Sequence, residues 1–270
     1  MEPSCPNTAR STEGTAGQGS GGLPEDLLIT VLRLSDASSA QSASQRLSVL
    51  ARLVRDRLLA VGVSAEAAAL AKAPRARGGG WDCGDSGPLA ARLAREEGGR
   101  RPGPGRDTLR RGTPLTGVGL ESAGRALWPG FGAAASAVGV RAVTTVALPL
   151  ADRGRGVVVV YHLDERLVPE DCLTEVRFLA MACAQGLRHQ EALRVCGQLE
   201  GALQSRVLIE QAKGQVSERR ECTPDAAFAL LRSYARAHQM SLHEVARWVL
   251  DGTLTASPFD RSPLRRATGA

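Results

Sequence analysis

The chain has 270 residues, 43% hydrophobic and 23% charged, which is enough apolar content for one large or two small cores. Its formal net charge of +6 favours an acidic partner, yet 32 of its 34 cationic residues are arginine, the pattern of a GC-rich coding bias, so arginine abundance assigns no function by itself. No run approaches the roughly 18 apolar residues of a membrane span and the amino terminus lacks the apolar stretch of a signal peptide, so the sequence argues against a membrane protein and predicts a cytoplasmic one.

Residues 1–22, "MEPSCPNTARSTEGTAGQGSGG", read as a disordered tail, and so do residues 255–270. Next, "LPEDLLITVLRLSD" and "QRLSVLARLVRDRLLAVGV" carry apolar residues at helical spacing, with Leu47, Leu50, Val54, Leu58 and Val61 along one stripe. From Ser64 to Arg111 the pattern decays. "RARGGGWDCGDSGP" and "EEGGRRPGPGRDT" are rich in Gly and Pro, and nine Arg stand against five acidic residues between Arg75 and Arg111. This region is predicted to form long solvated loops with one short helix around Leu89 to Arg95.

Regular structure returns with "VGVRAVTTVALPL", "ADRGRG" and "VVVVYHL", which predict two antiparallel strands across a turn. The second is apolar on both faces and is expected at the centre of its sheet. Pro169, Glu170 and Asp171 then suit a helix start, and no proline follows until Pro224, so one long helix, broken at most once, is predicted from about residue 170 to 220. Along it Leu193, Cys196, Leu199, Leu203 and Val207 recur at spacings of three and four. That seam fits either a helix of the same chain or a second copy.

Residues 205–254 predict a three-helix bundle. Thr223 is a good N-cap with Pro224 and Asp225 behind it, "SLHE" at Ser241 to Glu244 is a capping box, and Gly252 closes the last helix. Leu208, Ile209, Ala212 and Val216 face a small core with Ala227, Phe228, Leu231, Tyr234 and Ala235, and with Leu242, Val245, Ala246, Val249 and Leu250. Phe228 is the only phenylalanine there, and its truncation to Ala is expected to cost about 3–5 kcal/mol. Outside that core, Lys213, Ser217 and Arg220 share a face of the first helix, and Arg232 and Arg236 are one turn apart on the second. Cationic side chains beside Ser217 and Tyr234 suit phosphate contacts and base stacking, although Tyr234 fits the core equally well. Gly214 lets a backbone approach closely, and Lys213 offers a compact ammonium for a crowded site.

Candidate chemistry is thin elsewhere. His162, His189, His238 and His243 show no metal-ligand spacing, and the six cysteines, Cys5, Cys83, Cys172, Cys183, Cys196 and Cys222, include no C-x-x-C pair and read as reduced thiols. Cys83 in "DCGD" has no base beside it, and no phosphate-binding glycine motif follows a strand. No catalytic residue, metal or cofactor is expected.

"RVLIEQAKGQVSERRECTPDAAFALLRSYARAHQMSLHEVARWVLDGTL" closely resembles an ANTAR domain, through "IEQAKG" (Ile209 to Gly214), Glu218 and Arg219, "AAF" with "LLRSYAR" (Ala226 to Arg236) and "LHEVA" (Leu242 to Ala246). It departs from the usual pattern at Gln215 and Ser217, where an apolar residue is common, and at Glu221, where Gly is frequent. Residues 23–190 resemble a GAF sensor domain, degenerate here, through "SGPLAARL", "RGTPLTGVGL", "WPGF" and "VGVRAVTTVALPLADRGRGVVVVYHL" in that order. The resemblance implies an α+β chain: a GAF-like antiparallel sheet with flanking helices (23–190), a helical coiled-coil linker (191–204) and the three-helix ANTAR bundle (205–254). It further implies a regulator that binds paired hairpins in nascent leader RNA, in the context of RNA polymerase, and promotes antitermination as a homodimer joined through the helix around 170–207. Lys213, Gly214, Ser217, Arg220, Arg232, Tyr234 and Arg236 are the expected RNA-binding residues. A protein-interaction module without RNA binding is the alternative.

Overall fold

The computed structural model describes residues 25–36, 41–68, 81–98, 102–150, 155–165 and 168–253, so both expected tails lie outside the described residues. The chain divides into two compact units, before and after the step from Ala192 to Leu193.

The first unit is α+β. Helices α1 (Glu25–Ser35) and α2 (Ala43–Leu58) open it, and α2 starts on the capping box of Ser42 and Gln45. Strands β1 (Gly62–Ala68), β2 (Trp81–Asp85), β3 (Val118–Gly119), β4 (Ala142–Leu148) and β5 (Gly156–His162) form an antiparallel sheet in the order β2-β1-β5-β4-β3. As expected, β5 is central and pairs with β4, and it is buried on both faces. Val158 and Val160 enter one core with Leu47, Leu50 and Val54 of α2, while Val157, Val159 and Tyr161 enter another with Trp128 and Phe131. That second core is closed by α3 (Pro88–Gly98), α4 (Pro104–Arg111), a π-helical turn at Leu120–Gly124 and α6 (Pro129–Ser136), with a short helix α5 (Arg125–Leu127) that buries no side chain between the last two.

The loops expected from residue 64 to 111 are corrected. Strands β1 and β2 and helices α3 and α4 occupy most of that span. Three of the glycines that suggested loops, Gly84, Gly103 and Gly105, are required instead by close packing. A Cβ on Gly84 would stand 2.2 Å from the backbone nitrogen of Ser48 and 2.4 Å from the carbonyl carbon of Leu47, so α2 lies directly on β2 only because that residue is bare. Gly103 and Gly105 make room for Glu97 of α3, whose Cγ would be 2.1 Å from a Cβ at Gly103. Pro104 sits in the first turn of α4, and the Glu97 carboxylate accepts the Gly105 N–H at 2.6 Å, filling the place of an N-cap side chain that Gly103 cannot supply.

A further buried polar group holds the end of a helix. Arg46 of α2 is fully buried and donates to the carbonyls of Leu34 (2.6 Å) and Asp36 (2.8 Å), closing the carboxyl end of α1. Helix α7 (Glu170–Arg220, 51 residues) admits that end at Gly186, where a Cβ would lie 2.3 Å from the Leu34 carbonyl oxygen. The helix is unbroken, and Leu173, Val176, Leu179, Ala180 and Cys183 bury its first third against α1, α2 and the sheet. Cys83, Cys183, Cys196 and Cys222 are free thiols, but Cys172 is disulfide-bonded, which corrects the reading of all six as reduced. Among the described residues no helix is long and apolar enough to cross a membrane.

Burial pushes the Glu97 carboxyl up to about 7, against the opposing hydrogen bond from Gly105. A carboxyl raised in the folded state contributes full stability below its unfolded value near 4.3, and that contribution is lost as pH rises through about 7. The first unit is therefore expected to lose up to about 3 kcal/mol between pH 4.5 and 8 on account of this group. Urea unfolding followed by tryptophan emission checks it: Glu97→Gln should flatten that slope, and an unchanged slope would refute the assignment.

Candidate nucleic-acid interface

The second unit is a bundle of the carboxyl end of α7 with α8 (Pro224–Ala237) and α9 (Leu242–Leu250). Each helix start follows its local chemistry. The Thr223 hydroxyl accepts the Ala226 N–H at 3.3 Å, and Ser241 and Glu244 complete a capping box in which both reciprocal bonds are made. Hydrogen bonds from the Ser241 hydroxyl and amide hold the exposed Glu244 carboxyl below its ordinary value. The core is small: Ala212, Val216, Ala227, Leu231, Ala235, Val245, Ala246 and Val249. With so many alanines the helices approach closely, and a narrow stripe at Ala227, Leu231 and Ala235 is all that α8 buries fully.

Two departures from the resembled pattern have structural accounts. With its amide oriented to suit its neighbours, Gln215 donates from its nitrogen to the Val249 carbonyl at 2.9 Å and accepts from Arg219 at 3.1 Å, so a polar side chain here can tie α7 to the end of α9. Glu221, between α7 and α8, has φ 48°, the left-handed conformation that glycine adopts without a Cβ penalty.

The expected site residues separate into a cluster and outliers. Lys213 on α7 places its Nζ 5.7 Å from the ring centroid of Phe228 on α8, and the Arg232 guanidinium carbon is also 5.7 Å from that centroid. Glu210 pairs with the Lys213 ammonium at 2.8 Å and leaves its side chain 18% exposed. Arg236 is exposed one turn beyond Arg232. Gly214 beside them is open, since a Cβ there would meet nothing within 4 Å. The Ser217 hydroxyl donates to the Cys222 carbonyl and closes the turn into α8, which commits its proton to the fold. Arg220 is half-buried in the last turn of α7. Tyr234 is half-buried against the core and stacks on His238 with centroids 3.9 Å apart.

Phe228 is the residue misplaced by sequence reasoning. It is half-buried and stands outside the set of side chains packed on the core. Its position, one residue after Ala227, rotates it about 100° from the buried stripe toward Lys213. The signal was present in the sequence as the i, i+4, i+8 spacing of Ala227, Leu231 and Ala235, a row to which Phe228 does not belong.

Burial shifts both Cys83 and His162 away from their ordinary values. Partial burial raises the Cys83 thiol, with Glu66 adding to the effect, the opposite of an activated nucleophile. His162 is hydrogen-bonded to Thr144 and its pKa is lowered by burial. Among the described residues no group of three or more His, Cys, Asp or Glu is placed to hold a metal ion.

Residues 197–250 match the family model of the ANTAR domain, so the second unit carries an ANTAR domain. Among solved structures the chain is similar to the GAF domain of an Acinetobacter phosphoenolpyruvate-protein phosphotransferase, at 13% identity and TM-score 0.44, covering 63% of this chain and 97% of that one. It is similar also to the GAF domain of the corresponding protein of Coxiella burnetii, at 14% identity and TM-score 0.43, covering 63% and 96%. A third similarity is to Escherichia coli SdiA, at 12% identity and TM-score 0.45, covering 84% and 97%. No curated protein matches the chain.

The strain at Glu221 is expected to be relieved by glycine. Glu221→Gly should stabilise the second unit by about 0.5–1 kcal/mol after the entropy of the freer unfolded chain is counted. Scanning calorimetry of the full chain measures this as a rise in the transition of that unit, and a fall would contradict it.

Proposed function

We propose that this chain is an RNA-binding regulator of transcription whose ANTAR domain binds paired hairpins in nascent leader RNA and favours antitermination in the cytoplasm, in the context of RNA polymerase. The observation that carries the reading is the grouping of Lys213, Phe228 and Arg232 from two helices on the surface of a unit that matches the ANTAR domain. Charge alone does not recommend RNA, since residues 205–254 hold seven basic against six acidic side chains. A local cluster on a shaped surface does. Arg236 extends the cluster, Gly214 leaves its flank open, and Ser217, Arg220 and Tyr234 support it from the turn and the core.

Lys213→Ala, Arg232→Ala and Arg236→Ala are each expected to weaken binding of a two-hairpin leader RNA and to lower the slope of log affinity against log salt by roughly 0.7–0.9 per lost phosphate contact, with helical circular dichroism intact. Titrations at two salt concentrations check this. Unchanged affinity in all three folded variants would refute the surface and favour a protein partner.

The active form in this reading is a homodimer. Leu193, Leu199, Leu203 and Val207 are 52%, 61%, 64% and 55% exposed along α7, with Cys196 exposed between them. Such a row is covered by the same row of a second copy. The full chain should sediment as a dimer at tens of micromolar, and Leu199→Glu with Leu203→Glu should shift it to monomer. A monomeric unaltered chain, with and without RNA, would overturn this.

The first unit acts in this reading as a GAF-like sensor that holds or releases α7, and it binds small ligands weakly or not at all. Support comes from its second core, where Leu93, Leu109, Trp128, Phe131 and Tyr161 fill the face of the sheet beneath α3, α4 and α6, and from Glu97, which occupies the N-terminus of α4.

A further inference from the structure

Phe228 poses a physical question that the basic residues do not. A phenylalanine outside the packed core leaves apolar ring surface in water, and burial in that small core would gain more than exposure beside it. Its neighbours are cations from two helices, Lys213 of α7 and Arg232 of α8. Both stand 5.7 Å from the centroid, close to the outer limit of about 6 Å for a cation–π contact. They are near enough to be positioned by the ring and too far to cover it closely. Lys213 is further oriented by Glu210, which takes one of three ammonium protons and leaves the others for a ligand. The flank at Gly214 is unobstructed.

We infer that Phe228 is a stacking platform for one unpaired base of the bound RNA, with Lys213 and Arg232 placed to meet the phosphates on either side of that nucleotide. The inference rests on the RNA-binding reading above and adds the chemical class of its anchor: a single-stranded loop base taken by its π face. An aromatic face accepts any base, and the two cations standing over this ring favour the polyanionic backbone that carries one. The same triad also fastens α7 to α8, so the test needs a readout that fastening alone would not move.

The probe is the two-hairpin leader RNA recovered by crosslinking from the organism's own cells, carrying 5-iodouridine or 5-iodocytidine at each loop position in turn, with the full-length chain. Irradiation is expected to join one loop position to Phe228, as mapped by mass spectrometry. Phe228→Leu, which keeps apolar bulk and loses the π face, should bind roughly 5- to 100-fold more weakly with the salt slope unchanged, and Phe228→Trp should restore affinity. Lys213→Ala should lower the salt slope and keep the crosslink.

Equal affinity of folded Phe228→Leu, or crosslinks that map elsewhere and none to Phe228, overturns the platform while leaving RNA binding standing. Should Phe228→Leu fail to fold, the crosslink on the unaltered chain and the affinity of Phe228→Trp decide the matter. If the unaltered chain binds no hairpin, the RNA-binding reading falls and the platform falls with it.

Discussion

Helix α7 is the constraint on which the remainder of the molecule depends, because one hydrogen-bonded ladder supplies apolar residues to two separate cores. Leu173, Val176, Leu179 and Cys183 are buried in the first unit, and Ala212 and Val216 in the second. Between them Leu193, Leu199, Leu203 and Val207 meet solvent. Gly197 and Gly201 lie in the same exposed stretch, each less favourable than alanine by about 1 kcal/mol in a helix interior, with nothing within 4 Å of where a Cβ would be. A segment of low intrinsic propensity that exposes leucines depends on its ends, or on a partner, to remain helical.

The first unit shows why a sequence rich in Gly, Arg and Pro defeats pattern reading. Gly84, Gly103 and Gly105 are each demanded by an atom that would otherwise collide, yet written in a line they are indistinguishable from glycines that free a loop. Strand β1, "GVSAEAA", is similarly composed of small residues with little strand preference, and it is held in place by its neighbours β2 and β5. By contrast β4 and β5 carry their own preference in Val and Thr, and were legible without neighbours. The caps of α8 and α9 were legible for the same reason, since a capping box is complete within four residues.

The interface was half legible. Lys213, Arg232 and Arg236 follow from type and spacing, but their grouping with Phe228 depends on how α7 meets α8, which no local pattern encodes. Ser217 illustrates the converse. A serine beside basic residues suggests a phosphate contact, and its hydroxyl also closes the turn that Glu221 enters in the left-handed conformation. Short-range backbone demands took precedence over surface chemistry at that point.

The electrostatics of the cluster limit how the proposed complex gains affinity. Glu210, 57% exposed, already neutralises Lys213 at 2.8 Å, so an approaching phosphate competes with a carboxylate for the same ammonium and gains less than it would from an isolated lysine. The nearly balanced charge of residues 205–254 removes any strong long-range attraction as well. In the proposed complex, binding would then rely on contacts made only when the RNA has the right shape: a splayed base at the ring, and phosphates at the two cations beside that base. In the proposed complex a surface built this way would bind non-specific RNA weakly, and selection would come from shape rather than from charge.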